Sequence, residues 1–207
     1  VSITTLTKTI NKNITVDIDG RISTHEKLES VSIHSGYPGY DAFKARMLSI
    51  DDNLGKHVLW PKDGKYSIDA PFYVELSGLV GDFPRNPKGQ QTVKDFFATC
   101  FFFAGKTMQV TPRDKLKATG AKYAYAFQSE QEATNCLHYL QTKFARAGLA
   151  IFKYNLHIYP AQLSTTPWVD FKQSWTDAQL FKHFGLSEEE KQFVRSMSDI
   201  YPNYSEE

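Results

Sequence analysis

Lys122-Tyr123-Ala124-Tyr125-Ala126-Phe127-Gln128-Ser129-Glu130-Gln131-Glu132-Ala133-Thr134-Asn135-Cys136-Leu137-His138-Tyr139-Leu140 changes its hydrophobic period halfway along, and that change decides the fold class. The first six residues alternate, as a half-buried strand does. Ser129 with Glu132 three residues on then forms a capping-box pattern, which supplies partners to the open N–H groups of a first helical turn. Beyond it Ala133, Cys136, Leu137, Leu140, Phe144, Ala147 and Ile151 recur at three- and four-residue steps, an apolar stripe predicting one helix over residues 129–152. Lys143, Arg146 and Lys153 fall mostly off the stripe, in the half of that helix where cations complement the dipole. Only Phe127-Gln128 separates strand from helix, so the two should pack on each other, as in an α+β fold.

Downstream, Thr176 and Gln179 form a second capping-box pattern, and Gly185 is placed to end the short helix after it. Ser187 with Glu190 opens another helix, with Glu188 and Glu189 at its positive end and Phe193, Val194 and Met197 as its apolar face. Trp175, Phe181, Phe184, Leu186 and Phe193 should pack within this hairpin as core.

Upstream the signals are weaker. Ile14–Ile18 alternates like a strand, and Asp41–Leu48 fits a short helix or a strand. Lys56–Trp60 and Lys65–Ile68 read as strands joined by the turn Pro61-Lys62-Asp63-Gly64. Phe72–Leu76 and Lys106–Val110 read as further strands. Residues 81–89, with Pro84 and Pro87, read as the clearest loop and a candidate lobe boundary. The expected architecture is α+β: a mixed or antiparallel sheet packed by the long helix, with a C-terminal helical hairpin. Residues 1–120 form a variable, β-rich portion and residues 121–207 the strand–helix unit with its hairpin.

A chain of 207 residues, 41% hydrophobic with 15 Phe and 11 Tyr, can build a core without disulfide or metal. No stretch reaches 18 apolar residues, so no membrane partner is expected; the longest run, Phe96–Ala104, reads as a buried strand or short helix. Cys100 and Cys136 lie far apart in apolar surroundings, which reads as two buried free thiols in a reducing, cytoplasmic setting. The opening residue is Val1, read as the start of a piece cut from a longer chain.

The formal charge of +1 is no signature of nucleic-acid binding, but its distribution is uneven. Between Lys106 and Lys153 stand Lys106, Arg113, Lys115, Lys117, Lys122, Lys143, Arg146 and Lys153 against Asp114, Glu130 and Glu132. After Tyr154 acids outnumber bases. Arg113, Lys115 and Lys117 on a loop, with Lys143 and Arg146 on the helix, could together face phosphates. A solvated face with nothing bound fits the same composition, and Tyr123 and Tyr125 could be core or contacts.

No pattern of catalysis emerges. Glycine-rich cofactor loops, phosphate loops, zinc-protease and serine-hydrolase motifs are absent, and the six histidines are scattered singly. Asp17, Asp19, Asp51 and Asp52 are ordinary loop acids. Asp69 and Glu75 have the look of a nuclease pair, but Leu76-Ser77 follows Glu75 where a lysine would be needed.

One longer pattern remains. Phe127-Gln128-Ser129-Glu130-Gln131-Glu132-Ala133-Thr134-Asn135 is followed by Tyr139-Leu140-Gln141-Thr142-Lys143-Phe144-Ala145-Arg146. Thr166-Pro167-Trp168-Val169-Asp170-Phe171 and Trp175-Thr176-Asp177 come next. Leu180-Phe181-Lys182-His183-Phe184-Gly185-Leu186-Ser187-Glu188-Glu189-Glu190 closes it. This ordered block resembles the C-terminal target-recognition region of adenine-specific restriction-modification methylases, of the combined single-chain restriction-methylase and type III-like kinds. Ala147-Gly148 departs from the larger apolar residues typical there, which predicts closer packing of the helix on its neighbour.

The resemblance implies sequence-specific recognition of double-stranded DNA, with the methylase domain of the same parent chain as a partner. It implies that the parent transfers methyl groups from S-adenosylmethionine to adenine N6, with or without endonuclease activity. The methylase cofactor loop and the Asn/Asp-Pro-Pro-Tyr/Phe motif are missing here, so no cofactor, metal or catalytic residue is assigned to this piece. Thr142, Lys143 and Arg146, in the family's Thr-Lys-Phe-x-Arg string, become the implied DNA-backbone contacts beside Arg113, Lys115 and Lys117. The competing role is a non-catalytic scaffold docking methylase to nuclease or to a partner subunit.

Overall fold

The structure, a computed structural model, describes residues 3–8, 14–18, 21–26, 35–62, 65–77, 108–116, 122–152 and 160–196. The loop expected at 81–89, the apolar run 96–104 with Cys100, and Lys117 lie outside the described residues. The fold is α+β. Strands β1 (Ile3–Lys8), β2 (Ile14–Ile18) and β3 (Arg21–His25) form an antiparallel meander with β2 in the middle. It meets the rest of the molecule through Arg21, whose guanidinium lies 3.9 Å over the Tyr37 ring and donates to the Ser35 carbonyl at 3.2 Å.

Helices α1 (Tyr40–Ser49) and α2 (Leu54–His57) follow. The stretch 41–48, open between helix and strand, is helical because Tyr40, Phe43 and Met47 fall on one buried side. Lys56 and His57 belong to a helical turn instead of the expected strand. Leu59 makes a single antiparallel bridge, and the expected strand from Lys65 is reduced to a bridge with Lys62.

The second sheet is antiparallel, with β4 (Phe72–Ser77) between β5 (Met108–Pro112) and β6 (Lys122–Phe127). Its strands come from both sides of residue 120, so the two portions of the chain share one core. Alternation sorts the faces. Val74, Leu76, Tyr123, Tyr125 and Phe127 point into the main core, while Tyr73 and Ala124 join Leu59 and Ala70 in a smaller cluster on the opposite face.

Helix α3 (Glu130–Gln141) packs across this sheet as the strand–helix pattern predicts. Ser129 starts it, its hydroxyl accepting from the Glu132 N–H at 3.2 Å and donating to the Glu132 carboxylate at 3.1 Å. The expected single helix over 129–152 is broken at Thr142, whose backbone is extended (φ −61, ψ 153), and α4 (Lys143–Ala150) begins in a new direction. The apolar stripe hides this break because Leu140, Phe144 and Ala147 keep helical spacing across it. Lys143 and Arg146 therefore occupy the first turn of α4, at its positive end, and not the C-terminal half of a longer helix.

After α5 (Pro160–Leu163), α6 (Asp177–His183) and α7 (Glu188–Ser196) form the expected C-terminal hairpin. Thr176 and Gln179 complete a reciprocal capping box. Gly185 (φ 62) donates to the Lys182 carbonyl and Leu186 to that of Phe181, closing α6 as its glycine predicts. Ser187 and Glu190 bond reciprocally at the start of α7. Phe181 and Phe193 are buried, whereas Trp175 and Phe184 are only partly so. Phe184 still stacks on Phe144 at 4.9 Å.

Gly148 explains the close approach of α4 to the segment after α5. A Cβ there would stand 2.8 Å from both the Thr165 carbonyl oxygen and Thr166 Oγ1. At this crossing Thr165 Oγ1 donates to the Gly148 carbonyl at 2.8 Å. Gly148→Ala should lose about 1–2 kcal/mol of unfolding free energy in urea titration, despite alanine's better helix propensity. A gain in stability would contradict the packing described.

Candidate nucleic-acid interface

Of the six residues expected to contact DNA, five are described, and two of these, Thr142 and Arg146, are buried. Thr142 is buried, and its hydroxyl is fully used: it accepts from the Ala145 N–H at 3.1 Å and donates to the Tyr139 carbonyl at 2.7 Å. It thus closes α3 and opens α4. Arg146 has 5% of its surface exposed. A guanidinium so placed is turned into the protein, unlike that of the exposed Arg113 with which it was expected to share a charged surface. Lys143 is half-buried, and its backbone N–H belongs to the helix cap.

That cap is made by a residue more than thirty positions away. Asp177 Oδ2 accepts from the Lys143 N–H at 3.1 Å and Oδ1 from the Phe144 N–H at 2.7 Å. With Thr142 serving Ala145, and Arg146 bonding back to the Thr142 carbonyl, each N–H of the first turn of α4 has an acceptor. Asp177 is itself the first residue of α6, so one carboxylate lies at the positive ends of two helices. Its neighbours are equally committed. Asn135 Nδ2 donates to the Phe171 carbonyl at 2.9 Å and the Tyr139 hydroxyl to that of Pro167 at 2.7 Å. Trp168 packs on Phe127 and Phe171, and its backbone N–H donates to the Asp52 carbonyl. Burial pushes the hydroxyls of Tyr125 and Tyr139 and the thiol of Cys136 well above their usual ranges. Tyr123 and Tyr125 are core residues, not contacts.

Arg113 and Lys115 behave differently. They sit on the 3-10 turn Arg113–Lys115 that follows β5, and both are exposed. The Arg113 N–H bonds to the Pro71 carbonyl at 3.0 Å, which ties this turn to the start of β4. Its guanidinium pairs with Asp69 at 2.8 Å, both side chains being 64% exposed. Such a pair contributes little and exchanges readily for another anion. A cleft of about 520 Å³ between these segments is lined by Asp69, Ala70, Pro71, Pro112, Arg113 and Asp114.

The acids with a nuclease-like spacing are separated by this arrangement. Asp69 is exposed beside Arg113, while Glu75 is buried in the centre of β4, accepting from Thr111 Oγ1 at 2.7 Å and Gln109 Nε2 at 3.2 Å. Asp51 pairs with Lys56, and Asp52 with His57, which stacks on Trp168 at 4.0 Å. His25 bonds to Ser23 at 2.9 Å. Burial lowers its pKa, with Asp41 opposing and Lys44 reinforcing that shift. No group of three or more His, Cys, Asp or Glu placed to hold a metal ion occurs among the described residues. No described helix is long and apolar enough to cross a membrane.

Searches against protein-family models, curated proteins and solved structures each returned no match.

The half-buried ion pair between α1 and α7 offers a check on this assembly. Arg46 Nε and Nη2 meet the two Glu190 oxygens at 2.7 and 3.0 Å, and Nη1 donates to the Phe184 carbonyl. Burial would raise the Glu190 pKa, but the bonds from Arg46 and Ser187 outweigh it and hold the carboxyl below its usual 4.5. A depressed folded pKa contributes stability above 4.5 that is lost as the pH falls through the folded value. Glu190→Gln should therefore lower the unfolding midpoint at neutral pH and flatten its decline below pH 4.5. Parallel curves for the two proteins across that window would show the pair to be inert.

Proposed function

We propose that this chain is the DNA-recognition part of an adenine-specific restriction-modification protein, a methyltransferase or restriction-methylase, and carries out no methyl transfer itself. The reading begins from the ordered block between Phe127 and Glu190 that resembles the target-recognition region of those enzymes. One observation carries it further: the polar residues of the chain divide into two sets. Thr142, Arg146, Asp177 and Glu190 are buried, whereas Arg113 and Lys115 remain exposed on a turn fixed to the sheet. The first set fits a scaffold that orients the module, and the second fits contacts to phosphate.

In this reading double-stranded DNA is the ligand, the methylase domain of the same parent chain is the neighbour, and S-adenosylmethionine is held by that domain. The reaction is cytoplasmic. Phosphate contacts from Arg113 and Lys115 supply affinity without choosing bases, because phosphates are alike in every sequence. Bases would be read by other residues before position 120.

Fluorescence anisotropy on matched duplexes at several salt concentrations tests this. Each of Arg113→Ala and Lys115→Ala should lower the salt-dependence slope by about 0.9 and weaken cognate and non-cognate duplexes alike. Lys143→Ala should change neither. A chain that binds no duplex but binds the methylase domain would be the docking scaffold instead. Calorimetric titration with S-adenosylmethionine should give no heat of binding; stoichiometric micromolar binding would place the cofactor site in this chain and contradict the proposal.

A further inference from the structure

The segments 59–62 and 65–68, between α2 and β4, are fastened to the sheet. Leu59 exchanges both backbone hydrogen bonds with Ala124 of β6, at 2.8 and 3.1 Å. Tyr66 stacks on Tyr73 at 5.6 Å. The Tyr73 hydroxyl donates to the Ile68 carbonyl at 2.8 Å and accepts from the Ala70 N–H at 2.9 Å. Between these anchors Lys62 and Lys65 exchange backbone hydrogen bonds at 2.8 and 3.0 Å.

Trp60 is 45% exposed, its ring T-shaped against Tyr123 at 4.1 Å, and Ile68 is 49% exposed. Lys62 and Lys65 are both exposed, and neither makes an ion pair among the described residues. Two exposed lysines with no described anionic partner forgo the Coulombic gain of an ion pair. A large ring left half in water forgoes part of the gain from burial. Both costs are relieved by one kind of partner, a polyanion that carries flat apolar groups between its charges. Nucleic acid is that chemistry. An anionic membrane would satisfy the lysines, but Trp60 and Ile68 on a fastened turn offer little apolar face to insert.

We propose that residues 59–62 and 65–68 form a nucleic-acid-contacting element, with Lys62 and Lys65 on phosphates and Trp60 packed against a base or sugar. This rests on the DNA-recognition reading and deepens it by placing a contact in the portion before residue 120. Because Leu59 and Tyr66 are anchored before binding, the flanks need little ordering to make the contact. Arg113 lies beyond the same loop's end, paired with Asp69, so the turn after β5 would extend the phosphate-facing strip.

The test uses the full chain, a fluorescein-labelled duplex, and vesicles of phosphatidylcholine with phosphatidylserine. The double variant Lys62→Ala, Lys65→Ala should lower the duplex salt slope by about 1.8, or about 0.9 for each lysine. Trp60→Ala should weaken the duplex about tenfold at every salt concentration and leave the slope unchanged. Trp60→Phe, which keeps a ring and the fold, should retain most of the affinity. Duplex binding unaltered in all three variants would overturn the loop's role and leave the DNA-recognition reading standing. No duplex binding by the unaltered chain would overturn both. Vesicle binding abolished by these substitutions would assign the loop to a membrane instead.

Discussion

The carboxylate of Asp177 sits where two helices begin, and the arrangement of the C-terminal half follows from that position. It bonds two N–H groups at the start of α4 while standing in the first turn of α6. Without it, α4 would begin with two buried donors unsatisfied, a cost on the order of 1–3 kcal/mol each. With it, the chain can break at Thr142 and still satisfy each first-turn donor. The break turns α4 toward α5 and α6, and that turn draws Arg146 into the protein. Arg46 and Glu190 fix the far end in the same way, joining α1 to α7.

This economy bears on function. In the block between Phe127 and Glu190, Asn135, Thr142, Asp177 and Glu190 each hold a specific backbone or side-chain partner. A block used up in this way is a support. Among the described residues, exposed cationic side chains lie at the turn after β5 and on the loop before β4. The two places are linked through the Arg113–Asp69 pair and the Arg113 N–H on Pro71. A rigid helical scaffold displaying a charged sheet edge is consistent with the DNA-recognition role proposed above.

The parts of this arrangement legible in the sequence are those written in local signals. The Thr176/Gln179 and Ser187/Glu190 caps, Gly185 between them, and the change of period at Ser129 each act within a few residues, and each marks a helix end found in the structure. The break at Thr142 is not local. The apolar spacing runs on through it, and the acceptor that permits it is Asp177, distant in sequence. Burial of Arg146 follows from that break and was equally hidden. The helix at Tyr40–Ser49 was ambiguous because exposed Leu48 sits beside buried Met47 and blurs the period. For Trp60, Lys62 and Lys65 a signal did exist, two lysines flanking Asp-Gly beside a tryptophan. Sequence could not tell that Leu59 and Tyr66 anchor them outward.

The central claim is that DNA meets the sheet-side loop and turn, while the α4 region serves as scaffold. Lysine acetylation footprinting read by mass spectrometry, with and without duplex, addresses it residue by residue. The account predicts protection of Lys62, Lys65 and Lys115, with Lys143, Lys182 and Lys191 modified equally in both samples. Protection of Lys143 with none at Lys62, Lys65 and Lys115 would contradict it and return the interface to α4.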